Sequence, residues 1–215
     1  MWSQPRKPSL IAEPTDRDLV RLHWPASLRP AFDALFGIDD AMADAVLRAR
    51  DPALAAIKLA WWREQLQALD HRPPPAEPRL QAAADTLLPL GISGERLSAI
   101  EDGWLPLLYA DPAAAHSSER GEIMFGLASS LLGVSVGPEV ARIWALADLA
   151  RGRGDTSLLD RGLVPVTKAA RNARPLTALA ALAARDHRKG VLEPEGTPGR
   201  AWTLLRHRLT GRYRG

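Results

Sequence analysis

Aspartates at helical spacing are the residues in this chain best placed to do chemistry. In the run RPAFDALFGIDDAMADAVLRAR, a helix would put Asp40 and Asp44 one turn apart on one face. That is the spacing by which a helix offers two carboxylates to one divalent cation. Asp33 and Arg48 share the face, so a solvated surface with an Asp44–Arg48 pair at i,i+4 accounts for the same pattern. Asp39 is different. It falls inside an apolar arc of about 120° formed by Phe32, Leu35, Phe36, Met42, Ala43 and Val46. A carboxylate there must face a polar cavity, pair with a cation or stay protonated. A second acidic set lies in ALADLARGRGDTSLLDRG, as Asp148, Asp155 and Asp160. Arg151 and Arg153, with Gly152 and Gly154, could cradle an anion, although the end of a helix explains the same residues. The five histidines, at 23, 71, 116, 187 and 207, are scattered singly and read as surface or loop residues. Ser129 and Ser130 lack the elbow that a nucleophilic serine needs. The absence of cysteine excludes disulfides, thiolate metal sites and a thiol nucleophile.

The elements that must position these residues are helical. Prolines 5, 8 and 14 make residues 1–14 an irregular arm, and a first helix is expected from Asp16 to His23, ended by Trp24-Pro25. A second opens at Ser27 or Pro30 and carries Asp39, Asp40 and Asp44 as far as Asp51-Pro52. Asp51 caps the next, which runs as PALAAIKLAWWREQLQALD to the stop HRPPPAEP. Leu54, Ile57 and Trp61 form one apolar row on it, and Leu59, Trp62, Leu66 and Leu69 form another. A helix with such wide apolar coverage is expected to be buried on more than one side, with Arg63 and Glu64 as a candidate ion pair. Further helices are expected over 79–90, 94–109, 122–133, 138–150, 165–189 and 199–210, with a loop at 110–118 and glycines 152, 154 and 162 breaking the pattern.

Composition agrees. Alanine (36) and leucine (33) dominate the 215 residues, whereas valine, isoleucine and threonine together number 23, a balance that favours helices over sheets. The expected fold is an all-α, single-domain bundle over 15–215. No apolar run reaches the ~18 residues of a membrane span, and MWSQPRKPSL lacks a signal-peptide core, so a cytoplasmic protein is expected. Residues 1–160 carry 16 Lys and Arg against 22 Asp and Glu, while residues 161–215 carry 12 against 3. The basic quarter from 161 on suits a phosphate-rich partner or peripheral contact with an anionic inner-membrane surface, and a solvated tail in an arginine-rich chain accounts for the same charge equally well. With Trp202 and Tyr213 as its only aromatics and no known module, it does not suit nucleic acid.

The run RPAFDALFGIDDAMADAV followed by IKLAWWREQLQAL resembles the N-terminal part of squalene/phytoene synthases. GWLPLLYADP, GEIMFGLASSLLG, VARIWALADLA, Arg161-Gly162-Leu163-Val164-Pro165 and AWTLLRHRLTGRY follow in the family's order, so the resemblance covers most of 16–212. It implies the isoprenoid-synthase fold with a central cavity. It also implies Mg²⁺ ions bridging two prenyl diphosphates to two aspartate motifs, and head-to-head condensation of the prenyl chains. On that pattern Asp40, Asp44, Asp148 and Asp155 would be the metal ligands, with Arg48, Arg151 and Arg153 on the diphosphates. The chain departs from the pattern. Only Asp44 is in register when the Trp61-Trp62 block is aligned, no Asp-x-x-x-Asp exists in the second half, and the chain is shorter than catalytic members after Arg161. The resemblance therefore implies one of three proteins. One is an Mg²⁺-dependent prenyltransferase with a makeshift ligand set. Another is a silent member serving as a scaffold for a protein partner, like the complex I assembly factor of the same family. The third is a peripheral membrane adaptor that holds a lipid.

Overall fold

The computed structural model describes residues 14–109, 113–160 and 168–213, with residues 113–117 described by their backbone. Ten α-helices occur among them and no β-strand, apart from one isolated bridge between Lys168 and Arg212. The chain is all-α, as its composition dictates. No helix is long and apolar enough to cross a membrane.

Local chemistry sets most helix starts. Thr15 caps α1 (Asp16–Arg21) in a reciprocal box with Asp18. α2 (Arg29–Leu47) has Pro30 in its first turn, and Asp51 caps α3 (Pro52–Ala68) by accepting from the N–H groups of Ala53 and Leu54. Glu77 and Ser93 do the same for α4 (Pro78–Thr86) and α5 (Gly94–Ser98). Gly154, Gly190 and Gly211 end α8 (Pro138–Arg153), α9 (Arg174–Lys189) and α10 (Pro198–Thr210) in the left-handed conformation.

Four expectations need correction. The single helix over 94–109 is α5, then α6 (Ile100–Trp104), then a 3₁₀ turn at Leu105–Leu108 that contains Pro106. α7 (Ala113–Leu132) begins inside the expected loop at 110–118, where three alanines favour helix. Gly152 lies within α8 rather than breaking it. The helix expected from 165 starts at Arg174, after a 3₁₀ turn at Arg171–Ala173; residues 165–167, the Arg161–Pro165 motif and the arm over 1–13 lie outside the described residues.

α8 packs between α7 and α9, α10 covers α9, and α2 lies against α3, α4, α6, α7 and α8. Their shared interior is filled by side chains. Trp24, Phe32, Phe36, Trp144 and Phe125 form a continuous aromatic series, with successive ring centroids 4.6–5.9 Å apart. Contacts of this kind add to the apolar burial of each ring. On α3 the Leu59–Trp62–Leu66–Leu69 row is buried as expected. The Leu54–Ile57–Trp61 row is not: Ile57 is 66% exposed and its two neighbours are also open. Among the described residues that side of α3 is left open.

Two glycines permit the central crossings. A Cβ on Gly103 would stand 2.6 Å from the Cα of Arg120, and one on Gly121 would stand 2.6 Å from the carbonyl oxygen of Ala141. These are backbone atoms that cannot step aside. Gly103→Ala and Gly121→Ala are each expected to cost about 1–3 kcal/mol in urea unfolding. Gly126→Ala on α7, where a Cβ meets nothing within 4 Å, should instead stabilise by about 0.5–1 kcal/mol.

Candidate functional site

The close approach of α6, α7 and α8 brings one cation to the middle of the bundle. Arg120 of α7 is 1% exposed, and its guanidinium lies 4.2 Å from the centroid of Trp104 and 4.7 Å from that of Trp144. Its Nε and Nη2 donate to the two carboxylate oxygens of Asp39, at 3.0 and 2.6 Å. Nη2 also donates to Asp148 at 2.6 Å. Trp104 adds a hydrogen bond from Nε1 to Asp39 at 2.8 Å. Asp39, with no exposed surface, thus takes the second of the options its position allowed, pairing with a cation. Its fork geometry with Arg120 is the strong, bidentate form of this interaction.

A second guanidinium lies above the first. Arg17 of α1 stands over the ring of Phe36 at 4.9 Å and reaches Asp40 at 2.5 Å, Asp148 at 3.7 Å and Asp39 at 4.0 Å. The acidic residues of α2 and α8 therefore do meet, but through two arginines. Burial alone would push the Asp148 carboxyl up; Arg120 and Arg17 outweigh it and hold the group below the usual carboxylate range.

The preceding residue of α1 serves a separate cluster. Asp16 accepts from Arg200 of α10 at 2.6–2.9 Å, and Arg200 also binds Asp186 of α9 at 2.5 Å. Arg151 of α8 joins from the other side, 2.9 Å from Asp186 and 3.6 Å from Glu195. Between the clusters lies a cleft of about 50 Å³ lined by Arg17, Trp144, Asp148, Arg151, Asp186 and Glu195 among others. It has room for a few waters, and not for a diphosphate with its prenyl chain.

The residues singled out as metal ligands are dispersed. Asp40 and Asp148 share Arg17, whereas Asp44 is exposed and paired with Arg48 at 3.3 Å. Asp155 caps the 3₁₀ turn at Thr156–Leu158 by accepting from the Ser157 N–H. The Asp160 N–H donates to Nδ1 of His187. Among the described residues no three metal-ligating side chains converge. The three arginines proposed to bind diphosphate are likewise apart: Arg48 on the surface, Arg151 in the Asp186 cluster, and Arg153 donating to the Leu107 carbonyl at 3.3 Å. Arg63 pairs with Glu101 rather than with Glu64.

Sequence reading missed Arg17, Arg120 and Trp104, and it misplaced two histidines. The one signal bearing on Arg120 was the position of Asp39 in an apolar arc, which left a cation partner among three alternatives. His187 and His207 are fully buried. Nδ1 of His187 accepts the Asp160 N–H, so Nε2 carries the proton and donates to the Ile143 carbonyl at 2.8 Å. His207 lies between Thr177 and the carbonyl of Arg212.

Comparison of this chain with protein-family profiles, with characterised proteins and with solved structures finds no match.

Arg120→Met leaves Asp39 buried without its partner and is expected to cost about 3–5 kcal/mol. Combined with Asp39→Leu, it should cost about 1–3 kcal/mol less than the two single losses added, measured as a double-mutant cycle in urea. Burial, with Arg208 and His207 nearby, brings His23 down to about 4, and burial also lowers His187 and His207. The unfolded chain takes up these protons near pH 6.5 while the fold does not, so stability is lost as the pH falls through that value. Tm should fall between pH 7 and 5, with a further loss below about pH 4 as Asp148 gives up its depressed carboxylate.

Proposed function

We propose that this chain is a catalytically silent relative of the squalene/phytoene synthases, built on the isoprenoid-synthase helical arrangement and acting in the cytoplasm as a binding or assembly scaffold. The observation that carries this reading is the pair of guanidiniums, Arg17 and Arg120, placed between the aspartates of α2 and α8. In a metal-dependent prenyltransferase, the acids of two facing helices turn toward Mg²⁺, which needs free carboxylate oxygens in near-octahedral array. Here Asp39, Asp40 and Asp148 give their oxygens to arginine, whose charge also repels a dication. The residues present do not fit the Mg²⁺ cluster that the family resemblance implies.

Two more observations support the reading. The aromatic series from Trp24 to Phe125 packs side chains into the middle of the bundle, where the family resemblance implies a cavity. On α3 the exposed Ile57 and Trp61 line a recess of about 510 Å³ together with Ala41, Ala45 and Trp62, with Asp44 and Lys58 as its charged members; exposed apolar side chains edged by charge are the kind of surface that marks a protein contact.

The test pairs substrate with stability. Incubation with farnesyl or geranylgeranyl diphosphate and Mg²⁺ is expected to give no head-to-head product. Tm should not move, whereas a ligand at about a hundredfold over its Kd would raise it by roughly 5–10 °C. A product that Asp40→Asn abolishes would show the chain to be an enzyme. The scaffold role predicts a protein retained by the full chain on affinity purification and lost with Ile57→Glu, the melting temperature being unchanged. A column that retains nothing counts against it.

A further inference from the structure

The side of α10 turned away from the bundle is apolar. Trp202, Leu205 and Leu209 recur at i, i+3 and i+7 and are 65%, 45% and 70% exposed. At 100° per residue they occupy an arc of about 60°. The opposite side carries the buried Arg200, Thr203, Leu204 and His207. A surface helix needs one apolar face to join its fold, and α10 has two.

Charge surrounds the outer one. Arg206 and Arg208 fall on its two flanks, about 40° and 60° beyond its edges, and α10 contains no acidic residue. Beside Leu209 opens a groove of about 370 Å³ lined by His23, Arg171, Arg174, Pro175, Arg208 and Leu209. Three arginines line it, and no carboxylate does. Arg174 is fixed there by donating to the carbonyls of Arg208 and Leu209, at 2.8 and 3.1 Å.

We propose that α10 and this groove dock the protein on an anionic phospholipid bilayer. The Trp202–Leu205–Leu209 strip enters the interface, and Arg171, Arg174 and Arg208 bind lipid phosphates. A bilayer surface offers both parts of what this face lacks, an apolar boundary parallel to a helix about 20 Å long and a plane of phosphates beside it. Tryptophan is favoured at headgroup depth, and flanking arginines extend along apolar surface while their charges stay in water. A soluble acidic partner would satisfy the arginines and leave the linear apolar strip uncovered. This inference does not depend on the scaffold reading, since a catalytic protein could bind a membrane equally well.

Co-sedimentation of the full chain with vesicles tests it. The chain is expected to bind phosphatidylglycerol/phosphatidylcholine vesicles, to bind pure phosphatidylcholine weakly, and to lose binding as salt rises. Arg171→Gln and Arg208→Gln should each weaken binding about fivefold. Leu209→Ser should weaken it at every salt concentration. All three positions are exposed, so melting temperatures should hold. Equal binding to both vesicles, no binding to the anionic ones, or binding unchanged by Arg208→Gln and Leu209→Ser overturns the proposal. Retention on heparin without vesicle binding also overturns it and assigns the surface to a soluble polyanion.

Discussion

A carboxylate removed from water needs its charge matched and its lone pairs filled, and Asp39 meets both needs chiefly through Arg120, which arrives from a helix 81 residues further along the chain. Much of the bundle's central geometry follows from that pair. Where Arg120 meets Asp39, its guanidinium lies over the rings of both Trp104 and Trp144. For the indoles to be close enough, α6 and α8 must approach α7 at backbone distance, and glycine at 103 and 121 permits this. The ion pair, the aromatic enclosure and the small residues are parts of one arrangement.

The same arrangement bears on chemistry. Facing acids on two helices are a device for holding cations. A guanidinium is a cation too, one covalently supplied, planar and always charged. With Arg17 and Arg120 in place the acids of α2 and α8 stand side by side across the bundle. A fixed side chain neutralises them, where an exchangeable metal would leave them open to a substrate.

α1 has six residues, too few to be stable as a helix in isolation. It is held by what its neighbouring residues grip. Asp16 closes on Arg200 of α10, and Arg17 closes on Asp40 and Asp148. One turn of helix thereby ties the C-terminal pair α9–α10 to the α2–α8 crossing. The buried face of α10 is committed to this clasp and to His207, which leaves its Trp202–Leu209 face for whatever lies outside the protein.

The sequence by itself determined the helices and most of their limits, because caps such as Thr15 and Asp51, terminal glycines such as Gly154 and Gly211, and apolar periods act over a few residues. It determined that Asp39 needed a polar cavity, a cation or a proton, since its place within the apolar arc of α2 is a local fact. Which cation was beyond it: partner choice depends on how α7 crosses α2, and no local rule marks Arg120 among the arginines. The apolar row Leu54–Ile57–Trp61 looked like core because periodicity shows that a face is apolar and says nothing of whether another helix covers it. His187 and His207 looked like surface because single histidines carry no period at all. Tertiary structure alone decided these points, since burial and charge pairing arise between elements far apart in the chain, where their relative placement sets which groups lose water and which partners they gain.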